Sequence, residues 1–300
     1  MGFFKRHQGR ASYDLFSTYS YFLPGLKGMM MLLIMFLLGS LLGNLVIAVL
    51  SLCLSSQFAM EYGTVISYPL MFVPAMLYAS YQSRKNEFSA WAEDGSPLAG
   101  IPLDSNNFGR LGGWWLALIA SIATLAAAFI AEPINALLPE MPEILKKALE
   151  QLTEGPLWVS LLSVSIFAPL FEEWLCRGLV LRGLLKKLNP ASAIMVSAAF
   201  FAILHLNPWQ AIPAFLLGLL FGYVYYKTGS LKLTILMHCV NNTLALITSR
   251  IPSLADAETF MDIMSPWAYV CIYIASVLFV AAAIITFKGI PQNRDEQPSI

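Results

Sequence analysis

The sequence predicts an all-α membrane protein, a polytopic bundle of about eight transmembrane helices. Three observations carry that reading. Composition is 58% hydrophobic and only 12% charged over 300 residues, whereas a soluble globular domain carries about 25% charged residues. The apolar residues come in runs of membrane length, since a helix crossing the hydrocarbon core needs roughly 20 of them. No run shows the short alternating pattern of a transmembrane barrel strand. The 18 Lys and Arg balance 18 Asp and Glu, so no charge excess favours a nucleic-acid partner.

Residues 1–27 are mixed polar and aromatic and read as a cytoplasmic or interfacial segment. Within it, 11–24 fits either the headgroup level, which Tyr and Phe favour, or a mobile tail. A cleavable signal peptide is not expected, because the first apolar run has full membrane length. Spans are expected at 28–53, 64–81, 111–131, 157–181, 191–206, 211–227, 233–249 and 266–287. The fifth and sixth are short and separated only by "NPWQA". Residues 82–110 are polar and rich in Gly, Pro and Asn, which predicts an irregular loop. Residues 133–156 hold a short amphipathic helix, and 288–300 form a polar tail. The chain is one membrane-embedded domain, 1–300, with a core of interest at 157–249.

Lys and Arg set orientation. One set of loops carries Lys5, Arg6, Arg10 and Lys27, then Arg84, Lys85 and Arg110, then Arg182, Lys186 and Lys187, then Lys227 and Lys232, then Lys288 and Arg294. The alternate set carries Glu61, Glu132, Glu140, Glu143, Glu150, Glu154, Asp256, Glu258 and Asp262, with only Lys146, Lys147 and Arg250 against them. Both termini are therefore expected in the cytoplasm, in agreement with an even number of spans. Trp114 and Trp115 fit the cytoplasmic aromatic belt, Trp209 and Trp267 the opposite one. Cys53, Cys176, Cys239 and Cys271 lie singly in apolar segments and read as four reduced, buried thiols. Gly218 and Gly222 form a GxxxG match, which permits close helix packing. Pro69 and Pro74 are expected to kink the second span, and Asn207-Pro208 to end the fifth.

Ionisable groups in the bilayer interior cost about 2.5–3.5 kcal/mol each on insertion scales, and chains retain them mainly where they serve a function. This chain concentrates them in three spans. The fourth has Glu172, Glu173 and Arg177 in "APLFEEWLCRGLVLRG", the fifth has His205 in "FFAILHLNP", and the seventh has His238, Asn241 and Asn242 in "LMHCVNNTL". Adjacent helical residues point about 100° apart, so Glu172 and Glu173 cannot address one point equally. Glu173 and Arg177 are i,i+4 neighbours in the favourable order. Pairing them leaves Glu172 without a local cation and free to exchange a proton. His238 and Asn242 share a helix face, and Phe201 sits one turn from His205.

An acid, two imidazoles and an amide suit the activation of water. Glu172 would take the proton with help from His205, and His238 with Asn242 would donate to the developing oxyanion. Alternatively, Glu172, His205 and His238 would hold Zn²⁺, which lowers the pKa of its bound water. The compact HExxH signature is missing, and these residues alone leave both mechanisms open. A cysteine nucleophile, Cys176 or Cys239, lacks a clear activating cation. A buried ion-pair network that only fixes helix packing is the structural alternative. Water must reach the site, so a polar cavity opening toward the cytoplasm is expected.

"EEWLCR", "FAILH" and "HCVNN" match EExxxR, FxxxH and HxxxN. In this order and spacing they resemble the CAAX protease and bacteriocin-processing (CPBP, or Abi) family of intramembrane endopeptidases. The resemblance implies peptide-bond hydrolysis at the membrane by an eight-helix bundle. It carries Glu172 to the base, Glu173, Arg177 and Phe201 to support, His205 to water activation, and His238 with Asn242 to oxyanion stabilisation. Its members are described both as metal-dependent and as glutamate-dependent without metal, with the balance here slightly toward no metal cofactor over zinc. The implied partner is a peptide or membrane-protein substrate, and the implied setting is a bacterial inner membrane. Two other readings compete: a non-catalytic immunity or scaffold protein of the same family, and a proton-coupled transporter using Glu172 and the histidines as a relay.

Overall fold

A computed structural model describes residues 16–91, 95, 98–135, 137–251, 254 and 259–291. The expected cations Lys5, Arg6, Arg10 and Arg294, interfacial residues 11–15 and most of the C-terminal tail lie outside them. Among the described residues all regular structure is helical. We number the principal helices α1 (Leu26–Cys53), α2 (Ser56–Phe88), α3 (Gly112–Asn135), α4 (Glu143–Glu154), α5 (Leu157–Leu184), α6 (Pro190–Ile203), α7 (Pro208–Thr228), α8 (Leu231–Ser249) and α9 (Pro266–Lys288). Helix α4 is the amphipathic helix expected between the third and fourth spans.

Seven of these, all but α4 and α6, are long and apolar enough to cross a membrane. The protein is a multi-pass membrane protein. Helix α6 has 14 residues, about 21 Å at 1.5 Å per residue, short of the roughly 30 Å of a hydrocarbon core. It occupies the expected fifth span but stops before His205. Sequence signals place most helix starts. Side-chain oxygens of Ser55, Asn189, Asn207, Ser230 and Ser265 accept main-chain N–H groups at the starts of α2, α6, α7, α8 and α9, and Pro190, Pro208 and Pro266 open three of them. Helix α2 outruns its expected span at both ends. Composition marks only the part of a helix in lipid, and polar residues such as Gln57, Glu61 and Arg84 continue its hydrogen-bond ladder beyond.

Helices α1 and α2 form a tight hairpin, because Gly39 lets the α2 backbone approach it. A Cβ there would lie 1.8 Å from the Met71 carbonyl oxygen. The hairpin packs on α5 through Phe36, Phe72 and Phe171, while α3, α7, α8 and α9 share a second apolar cluster around Phe221 and Phe287. Helix α5 is central. In its most apolar stretch 61% is buried inside the protein, against 11% for α9.

Three expectations are corrected. Residues 82–88, expected in an irregular loop, are the end of α2, and the irregular segment after them is docked on the bundle. Leu103 is fully buried, Ser105 and Asn107 donate main-chain N–H groups to Gly229 and Thr228 (2.8 Å each), and Asp104 accepts the N–H of Leu231 at 2.8 Å while pairing with Lys232 at 3.0 Å. Arg182, counted above among the loop cations, is a buried residue of α5 that donates to the carbonyls of Tyr19, Phe22 and Ile101. Open carbonyls of these irregular segments need donors, and a guanidinium has five N–H groups to offer. The thiols are also not uniformly buried: Cys176 is, Cys239 is half-buried, and Cys53 and Cys271 are exposed on the outer faces of α1 and α9. An apolar segment in a membrane faces lipid as readily as protein.

Candidate active site

The local geometry of α5 builds the site. Two stretches of wider π turns, Leu161–Phe167 and Trp174–Leu181, flank the α-helical turn Ala168–Glu173. Such bulges recur at functional sites. At the first of them the N–H of Ala168 goes to the carbonyl of Ser163, five residues back. The next donor in that register would be residue 169, which is proline and has no N–H. The Val164 carbonyl is thus left for another donor, and Asn242 of α8 supplies it, Nδ2 to O at 2.9 Å. An amide nitrogen carries two hydrogens, so Asn242 is oriented by one and keeps the other. Its Oδ1 accepts from Asn241 at 3.1 Å.

Glu173 and Arg177 pair as the spacing predicts. Nη1 lies 2.6 Å from Oε1, and neither side chain has any exposure. Arg177 also donates to the Gly218 carbonyl of α7 at 3.1 Å, and its guanidinium lies over the rings of Phe201 and Phe221, 4.6 and 5.4 Å from their centroids. A cation over an aromatic face gains from the ring quadrupole. Gly218 therefore does more than pack. It brings α7 against Ala198 of α6 and presents a carbonyl to the buried cation. The same Oε1 of Glu173 takes a second contact from Nδ1 of His238 at 3.0 Å. That contact puts a hydrogen on Nδ1 and points Nε2 away from Glu173.

Nε2 of His238 points toward Glu172, 3.9 Å from its Oε2. That oxygen is buried and has no hydrogen-bond partner among the described residues. The other oxygen, Oε1, accepts from the phenol of Tyr68 at 2.5 Å. The two adjacent glutamates are thus separated as helix geometry requires. Glu173 faces Arg177 and His238, and Glu172 sits between α2 and α8. Tyr68 went unnoticed in the sequence. Its only signal was a phenol in mid-span, next to Pro69.

His205 stands just beyond α6, in a turn where Leu206 adopts φ 56°, a region that branched side chains rarely occupy. Asn207 braces this turn by donating to the His205 carbonyl at 2.8 Å while capping α7. Nδ1 of His205 meets the Phe201 carbonyl at 3.0 Å, so it carries the hydrogen and Nε2 is an acceptor. Phe201 stands edge-on between the two imidazoles, 5.1 Å from His205 and 5.4 Å from His238. The fold thus joins Glu172, Glu173, Arg177, Phe201 and His238 directly, holds Asn242 one turn from His238, and puts His205 across the Phe201 ring. Among the described residues no ion pair links His205 to either glutamate. No three His, Cys, Asp or Glu side chains among them are grouped so as to hold a metal ion.

Buried carboxylates on α5, an imidazole on α8, another in the turn after α6 and an oriented amide all lie within residues 164–242. Residues 154–244 match the family model described as Type II CAAX prenyl endopeptidase Rce1-like. Over that stretch the chain is similar to this family. Every site residue named from the sequence falls inside this Rce1-like region, whereas Tyr68 falls outside it. No curated protein and no solved structure matches the chain.

Proposed function

We propose that this protein is an intramembrane endopeptidase that hydrolyses a peptide bond of a membrane-associated protein or peptide, with Glu172 as general base. One observation supports this above the others. Of two neighbouring buried carboxylates, Glu173 is engaged by an arginine and a histidine, while Glu172 pairs with no arginine or lysine among the described residues and turns Oε2 to 3.9 Å from an imidazole nitrogen. The difference between the two is the cation: Glu173 Oε1 is held by Arg177 and His238, whereas Glu172 accepts only from the Tyr68 phenol among the described residues.

In this reading a water bonded to Glu172 Oε2 gives it a proton, and the water oxygen attacks the scissile carbonyl carbon. His205 assists by holding the water through its Nε2. The oxyanion receives hydrogen bonds from His238 Nε2–H and from the second amide hydrogen of Asn242. That role asks His238 to carry a hydrogen on each nitrogen, with Glu173 facing the other one. Collapse breaks the C–N bond, and the proton held by Glu172 passes to the departing amine. The site opens toward the cytoplasm, in a bacterial inner membrane. No step runs through a metal.

The test compares membrane peptides from cells making the native protein and its Glu172→Ala variant. Products that appear only with the native protein are expected. Identical peptide profiles would remove Glu172 as base. Purified protein that cleaves such a peptide is expected to do so after chelation and without stoichiometric zinc. Loss of cleavage on chelation, restored by zinc, would replace this mechanism with a metal-based one.

A further inference from the structure

Glu172 has a second neighbour that the reaction above does not use. Tyr68 comes from α2, outside the Rce1-like region, and its phenol donates to Glu172 Oε1 at 2.5 Å. The ring is held in place. It packs against Phe72 of α2, centroids 5.9 Å apart, and Phe72 stacks on Phe171, the residue before Glu172, at 5.2 Å and 17°. Phe72 is fully buried and also meets Phe36 of α1. Both ends of the Tyr68–Glu172 contact are therefore anchored by one aromatic stack that ties α1, α2 and α5. Glu172 itself has few other restraints. Among the described residues its Oε2 has no hydrogen-bond partner, and Nε2 of His238 stands 3.9 Å away.

We propose that Tyr68 is a positioning residue for Glu172: by occupying Oε1 it fixes the carboxylate rotamer, so that Oε2 is the oxygen that meets the nucleophilic water. This rests on the hydrolysis proposed above. Without the phenol, the carboxylate turns about its terminal torsion, which is broad and two-fold for a glutamate. The carboxylate plane then rocks, and the direction of the oxygen that faces His238 is no longer fixed. The geometry also explains why α1 and α2, which the family match leaves out, belong to the working site. They carry the one donor that Glu172 has among the described residues, and Gly39 sets how closely they come together.

The experiment uses the full-length protein in lipid nanodiscs, with 3-fluorotyrosine or 3,5-difluorotyrosine at position 68, and in parallel Tyr68→Phe. The first readout needs no substrate. The ¹⁹F resonance of the fluorinated residue is expected to move when Glu172 is replaced by Gln, while a fluorotyrosine at the exposed Tyr81 keeps its shift. The second readout is cleavage of a peptide identified by the Glu172→Ala comparison. Tyr68→Phe is expected to lower kcat about 10- to 100-fold, the weight of one hydrogen bond to a charged group, with KM little changed. The fluorinated residues should change kcat in steps that follow their strength as donors, which a merely structural ring would not do. A resonance indifferent to Glu172→Gln overturns the proposal. So does a Tyr68→Phe enzyme with native kcat, or one altered only in KM. A resonance that responds in a protein that cleaves nothing overturns the protease reading instead, and leaves the Tyr68–Glu172 contact standing.

Discussion

Helices α5 and α9 are both long apolar spans, yet they solve opposite problems. Helix α9 has no charged residue before Lys288 and exposes Val270, Ile272, Ile274, Val277, Leu278 and Ile285. Helix α5 buries Glu172, Glu173, Arg177 and Arg182. In a soluble protein the more apolar helix would be the inner one. Here it is the outer one, because lipid accepts apolar side chains on every side and only neighbouring helices can supply hydrogen-bond partners to charged ones. The centre of this bundle is where polarity is affordable, and so where chemistry is feasible.

The comparison can be broken by removing partners from α5, and the largest effect is expected at Arg177. Replacing it with Met leaves Glu173 buried beside a histidine and without its cation. Stranding one member of a buried pair costs about 3–5 kcal/mol. Thermal unfolding in detergent should show that loss, and the double variant Arg177→Met with Glu173→Gln should recover most of it. An unchanged unfolding temperature for the single variant would mean the pair is dispensable.

Gly218→Leu comes next. A Cβ at that position already stands 3.1 Å from Ala198 Cβ and 3.4 Å from Arg177 Nη2. Overpacking of this kind costs about 1–3 kcal/mol, and the variant should lose both stability and cleavage. Unchanged stability would show that the contact between α6 and α7 has room for a side chain there.

Pro169→Ala sharpens the contrast more gently. It restores a main-chain N–H able to compete with Asn242 for the Val164 carbonyl. One such bond is worth about 1 kcal/mol, so kcat should drop roughly fivefold while the unfolding temperature holds or rises. A fall in stability with unchanged kcat would separate the wide turn from the reaction. The smallest effect belongs to α9. Leu278→Ala, at a residue 65% exposed, should stay within about 0.5 kcal/mol and leave cleavage alone. A larger loss would reveal a partner on the face of α9 assigned here to lipid.

Much of this was readable in the order of residues. Runs such as 28–53 and 266–287 mark helices because no other backbone satisfies its own polar groups in lipid. Glu173 and Arg177 declare their pairing by spacing alone, since both lie on one helix. The reach of α2 to Phe88, the docking of 98–111 and the burial of Arg182 were not readable. Each depends on carbonyls and clefts presented by segments far away in the chain. Tyr68 was invisible for the same reason, as nothing near Pro69 announces a carboxylate 104 positions later.

The sequence by itself determined that this is a membrane bundle with two glutamates, an arginine, two histidines and a pair of asparagines inside it, and that a helix must turn the glutamates apart. Composition and i,i+4 geometry are local, so they survive without coordinates. Tertiary structure alone decided what else each carboxylate meets: the Tyr68 phenol at Glu172, and His238 between the two glutamates. Those groups come from α2 and α8, and only packing determines the distances between helices.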